Sequence, residues 1–296
     1  MPAPGRQSSV DIDHLPLPHR RANRVRPCVH HRHMNPQAFD DLLSRHRSIR
    51  AYRPDPVDPA LVEQVLVAAL QGGSSSGNLN MVSVVRTTDV ERKRRLYELH
   101  GEQPMVLQAP LVLTFCADTH RTRAWLALRG ARLGFGDLMS WTTSAFDAMI
   151  LAQTSALALQ SRGLGICYMG TTMFAMNEIA DFLELPEHCV PVTSLVVGWP
   201  DEAPPQRDRL PGRAWIHDER YTRPTPQTIE RDFAEREVRG RQRYLSMGPE
   251  MQQRWDELGI TSLAQYYTSR IKYDPDAFRG FSKAIREGLE RRGFWP

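Results

Sequence analysis

A helix without a wholly polar side is stable only where something covers it from more than one direction, and the segment Asp137 to Arg162 is such a helix: long, alanine-rich and apolar around most of its circumference. Its apolar run from Ala145 to Leu159 is broken by Asp147, Gln153, Thr154 and Ser155 and falls short of the ~20 apolar residues that a membrane span needs. It is therefore expected inside a globular fold, lying on a sheet, with a further surface left for a second subunit. No membrane contact is expected. Asp147 and Gln153 could be ligands, but capping or bridging across a helix interface is the expectation.

The flanking sequence alternates helix and strand signals. Asn35-Pro36 and Asp58-Pro59 each pair a capping residue with proline at the first helical position, predicting one helix to about His46 and another that stops at Gly72-Gly73. Val82 to Arg86 reads as a strand, Asp89 caps a charged helix to Leu99, and Leu111 to Cys116 is a fully apolar strand. After the long helix come a strand Ile166 to Met169, a short helix Asn177 to Leu185 and a strand Val192 to Val197. From Pro224 onward the chain turns helical and charged, with Trp255, Leu258, Leu263, Tyr266, Phe278, Phe281 and Leu289 as expected packing contacts. The class is α+β with a helical C-terminal extension.

The net charge of +4 invites a nucleic-acid reading. Six arginines in residues 1–34 (Arg6, Arg20, Arg21, Arg24, Arg26, Arg32) against Asp11 and Asp13 account for all of it, so no polyanion footprint is expected on the folded part. That proline- and histidine-rich start has no period of 2 or 3.6 and is expected to be either a disordered tail or a stretch ahead of a true initiator at Met34. His30, His31 and His33 could hold a metal there, but no metal site is expected in the fold. Cys28, Cys116, Cys167 and Cys189 show no C-x-x-C pairing, and a reduced, cytoplasmic chain is the simplest reading.

Chemistry concentrates in four stretches. His46-Arg47-Ser48-Ile49-Arg50 sets two planar guanidinium forks and a hydroxyl directly after a helix, a composition suited to phosphate, although a solvated basic turn would look the same. Arg207 and Arg209 form a second basic pair beyond Gly198-Trp199-Pro200. Ser74 to Asn80 offers hydroxyls and amides on flexible backbone, which is also the composition of an ordinary loop. In Tyr168-Met169-Gly170-Thr171, Gly170 would let the backbone approach a flat ligand closely. There is no G-x-G-x-x-G fingerprint and no G-x-x-x-x-G-K-[ST] loop, which excludes the common dinucleotide and nucleoside-triphosphate folds.

In this order and at these separations, His46-Arg47-Ser48-Ile49-Arg50, Ser74-Ser75-Ser76, Phe115-Cys116-Ala117-Asp118, Gly163-Leu164-Gly165 with Tyr168 and Gly170, Gly198-Trp199-Pro200 and Arg209-Leu210-Pro211 resemble the nitroreductase family, within it the NADPH-dependent flavin and nitro reductases. The resemblance implies a mixed, mostly antiparallel sheet surrounded by helices in an interlocked homodimer, with residues 35–223 as the FMN-binding core and 224–296 as a helical extension on core and cleft. It assigns His46, Arg47, Ser48 and Arg50 to the ribityl chain and phosphate, Arg207 and Arg209 to the phosphate's far side, Tyr168, Met169, Gly170 and Thr171 to the ring system, and Gln103 to its polar edge. Ser75, Ser76 and Asn78 would come from the partner subunit; Asn80, where relatives often have glutamine, and Gly77 depart from the pattern at that edge. NADPH is implied as co-substrate, with Arg239, Arg241 and Arg243 near Arg236 as the cluster for its 2′-phosphate; a solvated helix face is the other reading of those four. No catalytic side chain is implied, because flavin carries the hydride, from NADPH to nitroaromatics, quinones or flavins in a ping-pong cycle. A flavin carrier or sensor without turnover is the competing expectation.

Overall fold

Capping chemistry sets most of the helix starts in the computed structural model, which describes residues 35–295; the expectations for the basic tail, Met34 and Cys28 lie outside these residues. The chain enters α1 (Pro36–Ser44), where the Asn35 side chain accepts the Gln37 N–H at 3.0 Å. Asp58 caps α2 (Pro59–Gly72), and strand β1 (Val82–Thr87) leads to α3 (Val90–Leu99), whose cap Asp89 accepts the Arg92 N–H at 2.8 Å. A single turn, α4 (Met105–Gln108), precedes β2 (Leu111–Asp118), and α5 (His120–Leu128) follows it. Asp137 starts the long α6 (Leu138–Gln160) by accepting both the N–H and the hydroxyl of Ser140, and these two bonds hold its carboxyl below the ordinary aspartate range.

Strand β3 (Gly165–Met169), helix α7 (Met176–Phe182) and strand β4 (Cys189–Gly198) complete the central layer. The four strands form one antiparallel sheet in the order β1-β2-β4-β3, with a register shift between Phe115 and Cys116. Its parallel component is a single bridge from Ser48 to Ile166. The two central strands bury almost every residue, because alternate side chains face different helical layers. Leu111, Leu113 and Phe115 meet Leu151, Ala152, Ala156 and Leu159 of α6. On the other face Val112 and Val196 share a cluster with Leu96, Val106 and Ile179, which lie on or near α3, α4 and α7. Burying one such leucine fully contributes about 2–3 kcal/mol.

Beyond residue 224 the chain is helical as expected: α8 (Pro226–Leu245), α9 (Pro249–Glu257), α10 (Leu263–Tyr267) and α11 (Pro275–Arg291). Trp255, Leu263 and Tyr266 build a small core with Ile260, while Leu289 and Phe294 pack onto Ala117, Met176 and Val190. Leu258 and Phe278 do not join these cores; they stay 45% and 39% exposed, Leu258 as the residue that ends α9 and Phe278 as part of an aromatic row with Phe174, Tyr273 and Phe281. Residues from Asp40 onward form one compact unit. Among the described residues no helix is long and apolar enough to cross a membrane.

Candidate active site

The segment after α1 becomes a site because it is pinned in extended form along the sheet edge. Ser48 bridges to Ile166, the Ile49 N–H donates to the Ile166 carbonyl at 3.0 Å, and Tyr52 bridges to Pro200. Ile49 and Tyr52 are buried, and the Tyr52 hydroxyl donates to the Ile49 carbonyl at 2.6 Å. That anchoring leaves His46, Arg47, Ser48 and Arg50 along a cavity wall. The close approach depends on Gly165, where a Cβ would lie 2.8 Å from the Ile49 side chain.

The return segment is tied down by two residues that the sequence did not single out. The Glu202 carboxylate accepts the N–H groups of Arg50 and Ala51, and the Gln206 amide donates to the Ser44 carbonyl. Arg207 and Arg209 thereby close a cavity of about 300 Å³ whose other lining residues include His46, Arg47, Ser48, Arg50 and Arg243. Five guanidinium groups thus share one small space. Asp208 offsets part of this charge by pairing with Arg243 at 3.4 Å and Arg236 at 3.6 Å. A net positive charge remains: Arg207 is held below the ordinary guanidinium value, first by burial and then by Arg243 and Arg50. The Nε atoms of Arg47 and Arg243 are buried without a partner. Crowded cations with unused donors are the signature of a site for a phosphate-like anion.

A second cavity of about 470 Å³ shares His46, Gln206, Arg207 and Arg209 with the first and adds Leu43, Gln153, Leu157 and Tyr168. Its wall is flatter and less charged. The Tyr168 hydroxyl donates to Gln153 Oε1 at 3.0 Å, and burial pushes its pKa up to about 12, so it stays a protonated donor. His46 Nδ1 lies 3.0 Å from the Gln160 amide nitrogen, which ties the first stretch to α6. One residue past β3, a Cβ built on Gly170 would meet nothing within 4 Å, so space is open there for a planar group, while Met169 is buried. Next to it Thr171, His100 and Gln103 form a hydrogen-bonded cluster.

Other expected site residues lie elsewhere in the subunit. Ser75 and Ser76 line neither cavity; the Ser75 hydroxyl and the Ser76 N–H donate to the two oxygens of Asp147 at 2.7 and 3.0 Å. Asp147 is thus a bridging residue, as expected. Asn78 sits in the same turn with φ 56°. Arg239, Arg241 and Arg243 do not form one cluster, because two-residue steps on a helix turn successive side chains by about 200°. Arg243 joins the anion cavity, Arg239 pairs with Glu235 at 3.3 Å, and Arg241 lines a separate groove with Glu237, Val238 and Thr261. No group of three or more candidate metal ligands occurs among the described residues.

Known proteins share the sequence pattern and the fold. The model of the nitroreductase family matches residues 43–199. The chain is 33% identical over 254 residues to a Bacillus subtilis protein named as an NAD(P)H FMN reductase, covering 85% of this chain and 96% of that protein. It is 33% identical over 181 residues to the oxygen-insensitive NADPH nitroreductase of Salmonella typhimurium, covering 61% of this chain and 73% of that enzyme. A crystal structure from Bacteroides fragilis superposes with a TM-score of 0.78 at 36% identity, covering 86% of this chain and all of that one. The chain belongs to the nitroreductase family.

Proposed function

We infer that the chain is an FMN-dependent oxidoreductase that takes hydride from NAD(P)H and delivers it to small electron-poor acceptors. The observation that carries this reading is the convergence of Arg47, Arg50, Arg207 and Arg209, from stretches far apart in the chain, on one anion cavity joined to a flatter one beside Tyr168. Residues present in the site fit FMN: unpaired buried guanidinium donors for its phosphomonoester and open space at Gly170 for its rings. One relative is named an NAD(P)H FMN reductase and another an NADPH nitroreductase, and these names speak for turnover rather than for a flavin carrier or sensor.

When bound, FMN supplies the two-electron chemistry, accepting and releasing hydride at N5. The protein's part is binding and tuning. Arg47, Arg50, Arg207 and Arg209 with Ser48 would hold the phosphate, His46 and Tyr168 would line the path toward the rings, and Gly170, Thr171 and Gln103 would meet the ring edge; Met169 would not, because it is packed into the core. Arg47 is also the candidate for a cation beside the rings, where positive charge would favour the reduced cofactor. Arg239, exposed on α8, is the remaining candidate for the NADPH 2′-phosphate, since Arg243 lies in the anion cavity and Arg241 is turned away. Nitroaromatics, quinones and flavins are the acceptor class, entering after the oxidised nucleotide leaves in a ping-pong cycle.

A homodimer completes the reading. Helix α6 leaves Met139, Phe146, Met149 and Ile150 exposed by 72%, 63%, 40% and 38%, a contiguous apolar strip of the kind that marks an interface. Asp147, on the buried side of α6, fixes the Ser75-Ser76 turn against that helix, and in this reading Ser75, Ser76 and Asn78 serve the partner's FMN rather than their own. The three described cysteines are free and buried, in keeping with a cytoplasmic setting. The test is an absorbance spectrum of the purified protein followed by anaerobic titration with NADPH and then NADH. A yellow protein bleached by NADPH and recoloured by a quinone is expected; a colourless protein, or colour untouched by either nucleotide, overturns the reading.

A further inference from the structure

Histidine at position 100 is completely buried, yet it has one ring nitrogen in use and one without any partner. Its Nδ1 lies 2.8 Å from Thr171 Oγ1. The Gln103 amide donates to the same hydroxyl oxygen at 3.2 Å and to the His100 carbonyl at 3.0 Å. Gly101 and Glu102, with φ of 66° and 57°, make the chain reversal that brings Gln103 back over His100. The left-handed conformation of a non-glycine residue there is maintained at a cost of about 1 kcal/mol.

These contacts fix the polarity of every hydrogen in the cluster. The Gln103 amide has one allowed orientation, since turning it would set its oxygen against the His100 carbonyl. Burial pushes the His100 pKa down to about 4, so the ring is neutral and carries one hydrogen. Placed on Nε2, that hydrogen would be an orphaned buried N–H, the kind of group that folded proteins avoid most strictly and that costs about 1–3 kcal/mol. Placed on Nδ1, it donates to Thr171. Both lone pairs of the Thr171 hydroxyl are then filled, by His100 and Gln103, and its own hydrogen is taken by no protein group among the described residues. Thr171 is half-buried and adjoins the open space at Gly170.

We propose that His100, as its Nδ1–H tautomer, makes the Thr171 hydroxyl an obligate donor to an acceptor atom of the flavin ring edge seated beside Gly170. Thr171 would touch the cofactor, and His100 is a positioning residue acting through it. The proposal rests on the FMN reading above and concerns what the ring meets at that edge.

Long-range proton–nitrogen NMR of the full chain labelled with 15N-histidine tests the tautomer directly, with the His100 signal assigned by its displacement in Thr171→Val. Protonation at Nδ1 alone at neutral pH is expected, and protonation at Nε2 overturns the proposal. FMN titration and the spectrum of bound FMN test the contact. Thr171→Ser should retain wild-type affinity and band position, while Thr171→Val, of nearly the same shape, should weaken FMN about tenfold and shift the bound absorption band. A valine variant that matches the wild type in both would remove Thr171 from the cofactor. A wild-type chain that took up no FMN would instead defeat the functional reading, and the tautomer measurement would still stand on its own.

Discussion

Arg207 is held below its ordinary pKa first by burial and then by the neighbouring cations Arg243 and Arg50, so the FMN-free protein holds this residue at an electrostatic cost. Arg207→Met should leave thermal stability of the FMN-free protein unchanged or raised, while lowering FMN affinity about 10- to 100-fold, the usual worth of a charge-assisted bond to phosphate; paired melting curves and FMN titrations check both halves. His100 makes a pH prediction. Its folded pKa of about 4 lies below the unfolded value of 6.5, so protonation favours the unfolded chain. The stability this group contributes is fully present above pH 6.5 and is lost as pH falls toward 4, on the order of 3 kcal/mol in total. Urea unfolding at pH 7 and pH 4.5 should show a smaller acid loss in His100→Gln than in wild type; equal losses would contradict it. At this scale the sequence showed the two arginine stretches but not their companions. Arg243 reaches the anion cavity only through the rotation of α8, and Glu202 and Gln206 act on backbone groups, a role that leaves no mark on residue type.

Elements were legible where a cap or a period announces them. The Asn35-Pro36 and Asp58-Pro59 starts and the Asp89 cap are all present, and α6 runs within two residues of its expected ends. Strands β2 and β4 extend beyond their expected ends, because pairing with each other carries Asp118 and the Cys189 to Pro191 stretch into the ladder. Helix α5 was missed: its sequence is arginine-rich, only Thr122 is buried, and Thr119 gives no side-chain cap bond. The element that positions the site most tightly is β3, through Gly165. Gly165→Ala would drive a methyl group into Ile49, costing about 1–3 kcal/mol of overpacking. Because Ile49 lies between Ser48 and Arg50, FMN affinity should fall as well. Denaturant unfolding and flavin titration of the same variant would show both effects, and a stability loss with unchanged FMN binding would separate β3 from the site.

For the whole molecule, the proposed homodimer rests on the exposed strip on α6. Sedimentation should give twice the chain mass of 33.8 kDa, and Phe146→Glu should shift it toward the single chain and lower FMN retention together; a monomer that keeps its FMN would count against shared sites. The order of short motifs made the subunit fold legible in the sequence, since each motif alone suits an ordinary turn and only folding brings Arg47 and Arg50 to Arg207 and Arg209. That convergence is the central claim, and comparing FMN with riboflavin, which has the same rings and no phosphate, tests it most directly. Calorimetric or fluorescence titration should show FMN bound about 100-fold tighter than riboflavin, with most of that gap gone in Arg207→Met. Equal affinities for the two flavins would mean that the five arginines do not read a phosphate.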